Sequence, residues 1–102
     1  MINWKYLTNL IEYPQSGIIS KEVIKNKSID VSLFCLAKGA EISEHTSTRQ
    51  GIVYVIEGNG LFNLEGEKII MKKDTLIFMD ENAVHSLKSK DNLAFVLILY
   101  KK

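Results

Sequence analysis

The chain predicts an all-β fold of antiparallel strands, wound as a jelly roll or similar roll, with one short helix at its N-terminal end. Three observations carry this. Eight short runs are β-branched or aromatic in character: Ile18 to Ile24, Ile29 to Ala37, Ile52 to Glu57, Leu61 to Leu64, Lys68 to Met71, Leu76 to Met79, Ala83 to Leu87 and Leu93 to Tyr100. Several links carry turn chemistry, Lys38-Gly39-Ala40, Gly58-Asn59-Gly60, Glu65-Gly66-Glu67 and Lys90-Asp91-Asn92, where Gly and Asn supply positive φ angles. No link is long enough for the crossover helix that a parallel pair requires.

The N-terminal helix is expected from Trp4, Tyr6, Leu7, Leu10 and Ile11, which recur at helical intervals before Tyr13-Pro14-Gln15-Ser16-Gly17 breaks the pattern with the only proline. The strands that follow need a common core. With 102 residues and 46% hydrophobic content, residues 1–102 fit a single domain. A domain this short buries only somewhat over ~60% of the surface its unfolded chain exposes, so association would add useful apolar burial.

The final run, Leu93-Ala94-Phe95-Val96-Leu97-Ile98-Leu99-Tyr100, is apolar on both faces, and Ile52 to Ile56 shares that character. A strand with one solvated face would alternate. Its outer side is therefore expected to be covered, either by the N-terminal helix through Trp4 and Leu7 or by a second subunit, and a homodimer is the preferred partner arrangement.

Charge excludes other classes. A net charge of +1 with Lys interspersed among Glu and Asp offers no concentrated basic stripe for nucleic acid. The beginning Met1-Ile2-Asn3-Trp4-Lys5 has no signal-peptide pattern and no apolar run nears the ~20 residues of a membrane span, so a cytoplasmic protein without membrane partners is expected. The single cysteine, Cys35, sits in an apolar run and reads as a small core residue.

Two segments stand apart because they hold the only two histidines. The first reads Gly39, five residues, His45-Thr46-Ser47, three residues, Gly51, six residues, Gly58; the second reads Asp74, five residues, Asp80-Glu81-Asn82, two residues, His85, three residues, Ser89. These frames resemble the two signature motifs of the cupin superfamily. The likeness extends from about Gly17 to Tyr100, and it is greatest to small single-domain members whose first motif reads like Ser43-Glu44-His45-Thr46. It implies a cupin barrel, an antiparallel double-stranded β-helix or jelly roll, with His45 and His85 facing each other from neighbouring strands.

The departures matter as much as the match. Ser47 stands where the family has a second histidine, Gly51 where it has a glutamate, and Asp74, Asp80, Asn82 and Ser89 replace glycine, proline, glycine and asparagine. Asn82 is a mild change, since asparagine tolerates the left-handed conformation. A family metal such as Zn, Fe, Ni or Mn would retain only His45 and His85 as ligands, and two imidazoles fall short of the three protein ligands of a typical catalytic site. Glu44 should face away from the barrel on a regular strand, and an amide at Gln50 is a weak ligand.

A metal-free small-molecule pocket lined by His45, Ser47, Gln50 and His85 is the favoured expectation, with a carboxylate, hydroxyl or carbonyl group on the ligand. Two alternatives stand beside it. One is a metal-dependent enzyme of dioxygenase, isomerase or lyase type; the other is a non-catalytic structural or regulatory dimer. Glu57, Glu65 and Glu67 read as turn-region surface groups, and no catalytic residue is assigned.

Overall fold

A computed structural model of the protein describes residues 4–101. Nine strands follow one short helical turn: β1 Ile18–Lys25, β2 Ile29–Leu36, β3 Glu41–His45, β4 Gly51–Glu57, β5 Gly60–Leu64, β6 Glu67–Met71, β7 Leu76–Met79, β8 His85–Ser89 and β9 Leu93–Tyr100. They form a five-stranded sheet in the order β1-β2-β9-β4-β7 and a four-stranded sheet in the order β3-β8-β5-β6. Every pairing is antiparallel. The expected jelly roll is present, with three adjustments.

The N-terminal helix shrinks to a single 3-10 turn, Leu7–Leu10, without a side-chain cap. A turn this short has no helical register of its own; tertiary contact holds it. Leu7, Leu10, Ile11 and Tyr13 pack on the outer face of the five-stranded sheet against Val31, Leu33, Cys35, Ala94 and Val96. Trp4, expected to take part, is 68% exposed and contacts Tyr6 edge-on instead. The segment is pinned by Tyr13, whose hydroxyl donates to Glu57 at 2.7 Å, and burial together with that carboxylate pushes the phenol well above its ordinary value.

β3 is an addition to the eight expected strands. Its sequence, Glu41-Ile42-Ser43-Glu44-His45, contains one aliphatic residue, so no period-2 apolar signal marks it. β8 begins two residues later than expected because Asn82 adopts φ +64 and Ala83 turns back to donate to Asp80 O. Asp74 likewise adopts φ +70. Both residues stand where the family motif has glycine, and Asp and Asn are the side chains best able to replace it in that conformation.

The core between the sheets contains Leu36, Val53, Val55, Phe62, Met71, Ile77, Met79, Leu87, Leu93 and Phe95. The double-sided apolarity of β9 now divides in two: Leu93 and Phe95 face this interior, while Ala94 and Val96 lie beneath the N-terminal segment. Cys35 is a buried free thiol in that second cluster. Beyond the N-terminal segment the outer face continues uncovered, and Leu76, Phe78, Tyr54 and Tyr100 are exposed there. Among the described residues, no helix is long and apolar enough to cross a membrane.

Candidate functional site

β3 and β8 bring the two histidines together through a bulge. Glu41 pairs with Lys88 and Ile42 with Leu87, after which the register shifts and His45 pairs with His85. β3 spends one residue more than β8 over this interval, as in a β-bulge. A regular ladder continuing from Ile42 and Leu87 would have placed Glu44 opposite His85. The extra residue puts His45 there, and Glu44 lies instead along the outer groove with Ser43, Asn63, Ser86 and Lys88.

The rings lie 4.1 Å apart between centroids at an interplanar angle of 61°, and His85 also stacks parallel to Phe62 at 5.9 Å. His85 is 7% exposed, whereas His45 is exposed at the rim. Each ring is oriented by the carbonyl two residues before it: Nδ1 of His45 lies 2.7 Å from Ser43 O on β3, and Nδ1 of His85 lies 2.9 Å from Ala83 O in the turn that leads into β8. A carbonyl oxygen can only accept, so Nδ1 is the donor in both rings.

Both imidazoles line a cavity of about 140 Å³ between the sheets, whose other walls are Phe34, Ile42, Val53, Phe62, Met79, Leu87, Phe95 and Leu97. The sequence reading had not singled out these apolar walls, although the inward positions of β4, β5, β8 and β9 follow from alternation. Ser47 and Gln50 are not part of this lining. The Ser47 hydroxyl accepts from Arg49 N at 3.2 Å and its carbonyl accepts from Asn82 N at 2.6 Å. Gln50 donates to Asp80 Oδ1 at 3.3 Å and borders a separate outer groove of about 180 Å³ with Phe78, Ile98 and Tyr100. The expected four-residue cluster therefore divides into a histidine pair and two residues that serve the β3–β4 loop.

That loop is clamped at its far side. Arg49 Nη1 lies 2.7 Å from Asp30 Oδ2 on β2, and Lys101 Nζ lies 3.0 Å from Asp30 Oδ1. The hydrogen bond from Arg49, seconded by Lys101, holds the Asp30 carboxyl below its ordinary value. Ser89, in the position of the family's asparagine, is 1% exposed; its hydroxyl donates to Ala37 O at 2.6 Å and accepts from Ala40 N at 3.0 Å. This ties β8 to the turn leading into β3.

The donor set does not fit a three-ligand metal centre. Among the described residues, no three His, Cys, Asp or Glu side chains are grouped to hold an ion. The place of the family's glutamate is also crowded: a Cβ at Gly51 would lie 3.0 Å from Leu99 Cδ2, 3.2 Å from Met79 Cε and 3.3 Å from Ile98 O, so an acidic side chain there would require these neighbours to shift by a few tenths of an ångström.

The architecture recurs in solved structures. A conserved protein of unknown function from Streptococcus pyogenes superposes with a TM-score of 0.88 at 20% identity, covering 100% of this chain and 90% of its own. A predicted oxalate decarboxylase from Thermotoga maritima does so with a TM-score of 0.76 at 19% identity, covering 83% and 81%. At these identities the likeness concerns the fold. An uncharacterized protein of Aquifex aeolicus (strain VF5) is 26% identical over 98 residues, 94% of this chain and 81% of its own length. A family model described as a cupin domain matches residues 32–99, and the chain belongs to that family of cupins.

Proposed function

We propose that this protein binds a small organic molecule in the barrel cavity, with His45 and His85 as its polar contacts and without a catalytic metal. One observation carries the reading: two imidazoles share a wall of a cavity whose remaining walls are apolar, and among the described residues neither ring has a hydrogen-bond partner beyond its Nδ1 bond. An apolar recess with a few convergent polar groups is the usual form of a small-molecule site. A metal-dependent enzyme is less well supported, because the position that would supply its acid is a glycine and no third ligand stands with the two histidines among the described residues.

A thermal-shift screen of small aromatic and aliphatic compounds tests the proposal. A ligand at ~100 times its dissociation constant adds ~2.7 kcal/mol, which in a domain of ~100 residues moves Tm by about 10 °C or more. A screen without any shift abolished by His45→Phe or His85→Phe would refute it.

Pairing with a second copy is supported by a separate observation. Leu76 at 67%, Tyr100 at 59%, Phe78 at 53% and Tyr54 at 36% exposure form one apolar stretch on the five-stranded sheet, beyond the reach of the N-terminal segment. A continuous patch of this kind is characteristic of an association surface. Sedimentation velocity should give a dimer that Phe78→Lys dissociates; a monomer at all concentrations would refute pairing.

A further inference from the structure

The orientation of the two rings restricts the chemistry of the occupant. With Nδ1 of each histidine donating to a carbonyl oxygen, at 2.7 Å for His45 and 2.9 Å for His85, the neutral ring keeps its only proton there. What remains for the cavity is a lone pair at Nε2, an acceptor without a hydrogen. The two rings meet edge-on, with centroids 4.1 Å apart and planes at 61°. The other walls are carbon and the Met79 thioether, so none supplies a strong donor.

A ligand group placed against this pair must therefore bring the hydrogen itself. An acceptor-only group, such as a carboxylate or an ether oxygen, would face lone pairs and lose its hydration without compensation. Of the hydroxyl, carboxylate and carbonyl groups that imidazoles in general can bind, only the hydroxyl suits this tautomer. Size is a second consideration. The recess, about 140 Å³ and open at the rim beside His45, has room for a single aromatic ring, comparable to the ~150 Å³ of an enclosed apolar cavity known to hold one benzene molecule. Phe62, stacked parallel to His85, provides a flat aromatic surface in the wall.

We infer that the occupant is a single-ring aromatic alcohol, a phenol or catechol, whose hydroxyl donates to Nε2 of His85 or His45. This rests on the small-molecule role proposed above and names its chemical class.

Five probes of similar size separate the possibilities: phenol, catechol, anisole, toluene and benzoate, titrated by ligand-observed NMR at pH 8.5, where imidazole in water is neutral. Phenol should bind about three- to tenfold more tightly than anisole, the worth of one net hydrogen bond, and benzoate should not bind. His85→Phe and His45→Phe, the latter at the exposed rim, should each reduce the preference for phenol over anisole, and the double variant should bring the two level while toluene still binds. Anisole equal to phenol, or benzoate tighter than either, overturns the inference and leaves the pocket. No binding of any of the five overturns it too, and the broader thermal-shift screen then decides whether the pocket reading falls with it.

Discussion

Gly39 and Gly58 both occupy glycine positions of the first motif, yet the structure assigns them different reasons, and a pair of alanine substitutions separates the two. Gly39 has φ +83 and nothing within 4 Å of where a Cβ would stand, whereas Gly58 has φ +101 and its Cβ would lie 2.1 Å from Asn92 O and 2.6 Å from Leu93 Cα. Gly39→Ala therefore incurs only the left-handed backbone penalty, about 1–2 kcal/mol. Gly58→Ala incurs a similar penalty and must also displace backbone at the entry to β9, where Leu93 is fully buried. Overpacking of this kind adds about 1–3 kcal/mol, giving about 2–5 kcal/mol in all. Both variants equally restrict the unfolded chain, so that contribution cancels between them. Urea unfolding followed by far-UV circular dichroism measures the gap; Trp4 is too exposed to serve as a fluorescence reporter. A gap below about 0.5 kcal/mol would refute the close-approach argument.

Four further outcomes are expected. Gly51→Glu should destabilise by up to about 1–3 kcal/mol as Leu99 and Met79 are pushed aside, and should not create a metal centre; stoichiometric metal by elemental analysis after metal-replete expression would contradict this. Ser89→Ala should cost about 0.5–1.5 kcal/mol in chemical denaturation, because Ala37 O and Ala40 N lose the hydroxyl while keeping their own bond at 3.0 Å; a neutral result would mean that water replaces the hydroxyl. Asn82→Gly should leave stability within about 0.5 kcal/mol, while Asn82→Ala should cost about 1–2 kcal/mol, since φ is +64 there; equal effects would remove the backbone explanation. Asp30 has a folded pKa below its ordinary 3.8, so its stabilising contribution is present above that value and is lost as pH falls through the folded value. Asp30→Asn should accordingly be less stable than wild type at pH 7 and approach it near pH 2, and a difference that persisted there would rule out the ion pairs as its source.

The strands announced themselves wherever side chains alternate or turns carry glycine, which is why the eight expected runs lie in the two sheets. β3 was silent because Ile42 is its lone aliphatic residue: the strand exists through its pairing with β8, a contact remote in sequence. The facing of His45 and His85 was legible from motif register. The bulge that achieves it was not, since local residue preferences do not specify where an extra residue enters a ladder. Ser47 and Gln50 were drawn into the expected pocket by proximity in sequence, but Ser47 serves the backbone around Arg49 and Asn82 while Gln50 turns toward Asp80. Asp74 and Asn82, which interrupt the motif by residue type, preserve it by backbone angle.

The bulge in β3 also bears on how the lineage can change length. Between Ile42 and His45 the chain carries one residue more than its partner strand needs, so a one-codon deletion of Ser43 would straighten the ladder and still leave His45 across from His85. That deletion would also remove the carbonyl that accepts from His45 Nδ1, so the extra residue that lengthens the strand is the one that holds the His45 ring in its present orientation.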